Sequence, residues 1–88
     1  MSGRRLVADV QAGPGGVMTD EVGVVTGELT VAVEELPGGA VGVTVQYVGA
    51  EEWYTVSGSP VPAGGLLAGV FEEVVARVRR GGGATVSG

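Results

Sequence analysis

Ten carboxylates and five arginines supply all the charge in this 88-residue chain, which has no histidine, cysteine or lysine. That inventory decides which chemistry is open. Ser-His-Asp and Cys-His nucleophilic machinery needs a base or thiolate that is missing here. Ordinary zinc sites lack their imidazole and thiolate ligands, and Schiff-base and P-loop chemistry lack their amine. Carboxylate chemistry and oxygen-ligand metal binding survive. The acids fall largely in adjacent pairs: Asp20/Glu21, Glu34/Glu35, Glu51/Glu52 and Glu72/Glu73. Neighbouring strand residues point to opposite faces and neighbouring helix residues diverge by about 100°, so no pair is a convergent dyad on its own. They read as solvated charges at turns and on exposed faces. No catalytic, metal-binding or cofactor-binding residue is expected.

Glycine is abundant, at 18 residues, and two clusters, Ala12–Gly16 (AGPGG) and Leu36–Ala40 (LPGGA), suggest phosphate cradles. A cradle must open a helix so that backbone N–H groups converge on the anion, whereas both clusters lead into strand-like segments and read as turns. The segment before the helix, PAGGLL, lacks a cation to hold phosphate. Ser57 and Ser59, in SGSP, have no base to activate them. They read as a strand exit, with Pro60 and Pro62 imposing an extended path across the end of the sheet.

Trp53 and Tyr54 are the remaining chemically distinctive residues. Adjacent on one strand, they must face opposite ways, one toward a core and one toward an open face or rim. Amphipathic aromatics concentrate at interfaces. The candidate interaction residues are therefore Trp53, Tyr54, Tyr47, Gln46, Thr44 and Thr30.

The elements that position them follow from periodicity. In Glu28–Leu36, Leu29, Val31 and Val33 alternate with Thr30, Ala32 and Glu34, the period of a half-buried strand. Ala40–Val48 repeats the pattern, with Val41, Val43, Val45 and Tyr47 against Gly42, Thr44, Gln46 and Val48. Pro37-Gly38-Gly39 joins the two as a hairpin. WYTVS, 53–57, adds a third strand. RLVADVQA reads as a strand, GPGG as a loop, and VGVV as a short strand or a bulged start to the Glu28 strand. Leu66–Arg80 predicts a helix whose stripe is Leu67, Val70, Phe71, Val74 and Val78. Glu73 and Arg77 form an i,i+4 pair, and Arg77, Arg79 and Arg80 crowd the last turn, where the helix dipole favours cations. Gly81-Gly82-Gly83 ends the helix.

The expected fold is α+β: a two-layer domain over residues 1–83, with an antiparallel β-meander of about four strands and one C-terminal amphipathic helix packed on one face. Residues 84–88 are expected to be a flexible tail. The other sheet face, carrying Thr30, Ala32, Glu34, Thr44 and Gln46, would be left open.

The hydrophobic fraction of 44% suits a folded chain. A net charge of −5 argues against a general nucleic-acid binder. The start MSGRRLVADVQAG resembles a signal peptide only until Asp9 interrupts its apolar stretch, and no run reaches the length of a membrane span. A cytoplasmic location is expected. The absence of Ile, Lys and Asn, beside abundant Gly, Ala and Val, points to a high-GC bacterial genome such as an actinobacterium's. The functional expectation is a small non-enzymatic interaction protein, accessory, adaptor or regulatory. It would work through its open sheet face or an edge strand, on a protein partner or on a second copy as a homodimer. The alternative is a module binding a small ligand or single-stranded nucleic acid through sheet-face aromatics.

Overall fold

The computed structural model describes residues 3–62 and 65–86. The strands are β1 (Arg5–Gln11), β2 (Val17–Thr19), β3 (Gly23–Val25), β4 (Glu28–Glu35), β5 (Ala40–Tyr47), β6 (Tyr54–Thr55) and β7 (Val61–Pro62), followed by helix α1 (Leu67–Arg80). The main sheet is antiparallel, in the order β1-β4-β5-β6. The α+β architecture is as expected, with the helix beginning at Leu67 and Leu66 as its N-cap residue.

Register explains the burial. Leu6, Ala8 and Val10 of β1 lie opposite Val33, Val31 and Leu29 of β4, which lie opposite Val43, Val45 and Tyr47 of β5. These residues make up the inner face. Helix α1 covers it over β1 and β4, burying Leu67, Val74 and Val78. Val17 and Val25 of the β2–β3 hairpin, with Val56 and Val86, complete the same core. Of the ten largest fully buried side chains among the described residues, nine are valines. Valine is stiff and suits a pleated surface, but it is short, so the two layers must approach closely.

That approach is made by glycine. Residues 13–16 and 81–84 run side by side and bond through their backbones. The N–H of Gly13 donates to the Val78 carbonyl at 2.9 Å, and that of Gly82 to Pro14 at 2.6 Å. The N–H of Gly83 is shared between the Gly15 and Gly16 carbonyls, each at 3.0 Å, and Ala84 donates to Gly16 at 2.9 Å. A Cβ on Gly13 would fall on the Arg79 carbonyl oxygen, and one on Gly81 on that of Pro14. Gly81 also takes φ 72°, a conformation that side chains disfavour. AGPGG and GGG are thus the two halves of one seam, rather than an independent turn and an independent helix stop.

Three expectations change. The chain from Ala84 to Val86 is no flexible tail: Ala84 bridges Val17 in parallel, Val86 donates to the Ser57 carbonyl at 2.9 Å, and Val86 is buried. Residues 87–88 lie outside the described residues. The WYTVS strand shrinks to Tyr54–Thr55: Val56 still donates to the Val43 carbonyl at 3.0 Å and also bridges Thr19, but the return bond from β5 is lost. The SGSP segment does not cross the end of the sheet. It interrupts one edge strand, and Val61–Pro62 then rejoins β5. At the gap the Ser59 hydroxyl accepts the Val43 N–H at 2.8 Å, in place of a backbone partner.

Two glycine substitutions should have opposite signs. Gly13→Ala is expected to lose about 2 kcal/mol or more, because rigid backbone must move. Gly69→Ala, in the helix with nothing within 4 Å of its Cβ position, should gain about 0.5–1 kcal/mol. Urea unfolding of both variants checks the contrast.

Candidate functional site: the open face and its free edge

The side chains that alternate with the valines make the outer face. Its rows follow the register: Arg5 beside Glu34 and Gly42; Val7 beside Ala32, Thr44 and Thr55; Asp9 beside Thr30 and Gln46. Trp53, just before β6, joins this face. The Arg5 guanidinium lies 4.9 Å from the centre of its indole ring. Arg5 is on β1 and Trp53 is at the far side of the sheet, so the contact is made over β4 and β5. The small Ala32 leaves room for it, and Ala32 is only 1% exposed although no second layer lies on its side. Trp53 remains 36% exposed and Val7 51%. The cation–π pair is a surface one, worth about 0.5–1 kcal/mol.

Four of the six sequence candidates, Trp53, Gln46, Thr44 and Thr30, fall on this face. Thr30 donates to Asp9 Oδ1 at 2.8 Å, and the Gln46 amide donates to the Ala50 carbonyl at 3.1 Å. The other two aromatics are elsewhere. Tyr54, opposite Val45, packs against the core from the inner side. Tyr47, opposite Leu29, is on that side too, exposed at the end of β5. Grouping Tyr47 with the outer patch is therefore corrected, since strand alternation puts it with the valines, while Trp53 and Tyr54 face opposite ways, with Tyr54 the one turned to the core. The Tyr54 hydroxyl donates to Glu52 Oε1 at 3.0 Å, and that bond, with some burial and the Glu52 charge, pushes its pKa above the usual phenol value.

The acidic pairs go to separate structural jobs. Asp20 Oδ1 accepts the Ser57 hydroxyl at 2.8 Å. Glu21 accepts both the Thr55 hydroxyl and the Thr55 N–H, each at 2.7 Å. Those two bonds hold the Glu21 carboxyl below the ordinary carboxylate range. Glu35 takes the Arg4 N–H, and Glu73 pairs with Arg77 at 3.0 Å. Among the described residues, no three acidic side chains gather closely enough to hold a metal ion.

These contacts treat the sheet's two edges differently. At β6 the outward N–H and C=O of Thr55 are closed by Glu21 and by the Asp20 N–H. At β1 the bonds Glu35 N–H to Arg4 and Ala12 N–H to Gly27 fix the phase of the ladder: even-numbered β1 residues bond β4. The backbone groups of Arg5, Val7, Asp9 and Gln11 therefore point outward, and among the described residues nothing pairs with them. The signal for this site was in the sequence. RLVADVQ alternates Leu6, Ala8 and Val10 with Arg5, Val7, Asp9 and Gln11, and only its place at the edge was missing.

A second concavity runs along the helix, an open groove of about 450 Å³ lined by Val61, Leu66, Val70, Val74 and Val86, with Glu73 and Arg77 at its rim. Among the described residues, no helix is long and apolar enough to cross a membrane.

Glu21 gives a pH test. Its folded pKa lies below the unfolded one, so its contribution is present above the unfolded value and is lost as pH falls through the folded value. Relative to Glu21→Gln, the wild type should keep its advantage near neutrality and lose it progressively as the solution is made acid enough to protonate the folded carboxyl, read from urea midpoints. Arg5→Ala should cost under about 1 kcal/mol while making Trp53 more accessible to iodide.

Comparison with protein-family models, with curated proteins and with solved structures finds no match to this chain.

Proposed function

We propose that the chain is a small, non-enzymatic protein-interaction domain that works through its open sheet face and the adjoining β1 edge, in an accessory, adaptor or regulatory role in the bacterial cytoplasm. The observation that carries this reading is the asymmetry of the edges. One is closed by side chains spent on it, while the other presents four residues whose backbone is unpaired among the described residues. An exposed edge is a ready template for strand addition, which natural proteins usually blunt. Val7 stands half-exposed in the middle of it, and the Arg5–Trp53 pair supplies an amphipathic anchor on the same face. Binding of single-stranded nucleic acid is disfavoured. Stacking platforms use several aromatics on one face, and here Trp53 stands without Tyr47, on a face shared with Asp9, Glu28 and Glu34.

Site-specific photo-crosslinking tests the reading in cells of the source type. A crosslinking side chain at Val7 or Thr44 is expected to capture a protein, and one at Ala76, on the outer side of the helix, is not. Capture from Ala76 alone would overturn the proposal. Nuclease-sensitive material that is lost steeply with salt would instead favour nucleic acid.

A further inference from the structure

We infer that the β1 edge pairs with β1 of a second copy, antiparallel about a twofold axis at Val7, so that the sheets of the two copies become one continuous sheet. This rests on the interaction reading above and names its partner. Three constraints on the edge select the arrangement.

The first is hydrogen-bond phase. Only Arg5, Val7, Asp9 and Gln11 turn their backbone groups outward, so bonds form only where an odd-numbered residue meets an odd-numbered one. Any residue of β1 can be the centre of such a pairing, but centring on Arg5 or Asp9 sets like charges against each other, and centring on Val10 or Gln11 leaves most of the edge unpaired; Leu6, Val7 and Ala8 remain. The second constraint is charge. Centring on Leu6 sets Arg5 against Val7, and centring on Ala8 sets Val7 against Asp9 and Arg5 against Gln11. Centring on Val7 sets Arg5 against Asp9 of the second copy, twice by symmetry, with Val7 against Val7 between them. Opposite charges directly across an antiparallel pair are favourable, and like charges are not. Asp9 has an oxygen to give, since Thr30 engages only Oδ1, and on pairing Arg5 exchanges its surface contact with Trp53 for that oxygen.

The third constraint is the inner face. Leu6 and Ala8 are only half-buried, and this register brings Leu6 against Ala8 of the second copy, extending the core across the seam. The helix contributes on the same side. The groove occupies one flank of α1, and about 100° per residue puts the half-buried Phe71 and Val75 on the other flank, toward β1. A helix seated above β1 and β4 would meet its counterpart about 10 Å away, within normal helix-packing distance. Seven strand residues a side fall short of the roughly 20–30 of a standard interface, so the dimer is reversible, with a Kd on the order of 10 µM.

Charge exchange tests the register. Sedimentation is measured from about 1 µM to about 500 µM, bracketing that Kd, for wild type, Arg5→Asp and Asp9→Arg, with circular dichroism and melting confirming that each is folded. Wild type should dimerise reversibly, and each variant alone should self-associate at least about tenfold more weakly, because like charges then face each other across the seam. An equimolar mixture of the two variants should recover 1:1 association to within about threefold of wild type. In that mixed pair, positions 5 and 9 of one chain again face unlike charges on the other. A wild type that stays monomeric, variants that dimerise as wild type does, or a mixture that fails to recover would each overturn the pairing. The broader reading fails separately. A monomer that still captures a protein from position 7 keeps its interaction surface and loses only its self-recognition.

Discussion

The glycine seam is the contact on which the other arrangements rest. Where residues 13–16 meet residues 81–84, backbone touches backbone, and the Val78 carbonyl at the end of α1 takes the Gly13 N–H. That fixes the helix terminus beside the end of β1. It also delivers the following residues to β2, where Met18 donates to the Ala84 carbonyl at 2.9 Å. The β2–β3 hairpin is held in turn against Val56 and Ser57 by Thr19, Met18 and Asp20. A core built from valine has little reach, so the inner layer can close only if its supports come near the sheet. Side chains in the seam would hold the layers apart and open voids that valine cannot fill.

What could be read in advance follows the range of each interaction. The hairpin from Glu28 to Tyr47 and the helix stripe are local patterns, and both stand as the periodicity implied. The assignment of Thr30, Thr44 and Gln46 to one face needed only strand alternation. Tyr47 obeys the same alternation: its aromatic character suggests an interface, but its phase places it with the valines. Placement of β1 beside β4, the union of the two glycine clusters, and the recruitment of Ala84–Val86 depend on contacts between residues far apart in the chain. Short segments such as VMT carry too little pattern to announce these. Glu21 was equally hidden: its role appears only once Thr55 is seen to have an outward edge.

The outer face combines features that are individually modest. Arg5 reaches over a floor kept low by Ala32, and Trp53 meets it from the other side of the sheet. Neither aromatic stacking nor charge pairing at a surface contributes much to stability. The arrangement matters for recognition, since it places an indole, a guanidinium, a valine and a carboxylate on one shallow surface beside open backbone. The contrast with the β6 edge is one of side-chain investment. Glu21, Asp20 and Ser57 are all engaged there, and among the described residues β1 has no counterpart.

The helix is anchored unequally at its two ends. Its last turn carries Arg77, Arg79 and Arg80, suited to the dipole, and runs directly into the seam. Its first turn begins at Leu66, which is 80% exposed, with no side-chain cap, no acidic residue and a glycine at position 69. Such an element behaves as a cantilever. Amide hydrogen exchange is expected to be fastest in the first turn, where only Leu67 is buried, and to slow toward Val78. Leu66 and Val70 also wall the groove, so one end of it is bounded by the less anchored turn. The less supported wall of the groove thus lies at the opposite end of the helix from the seam.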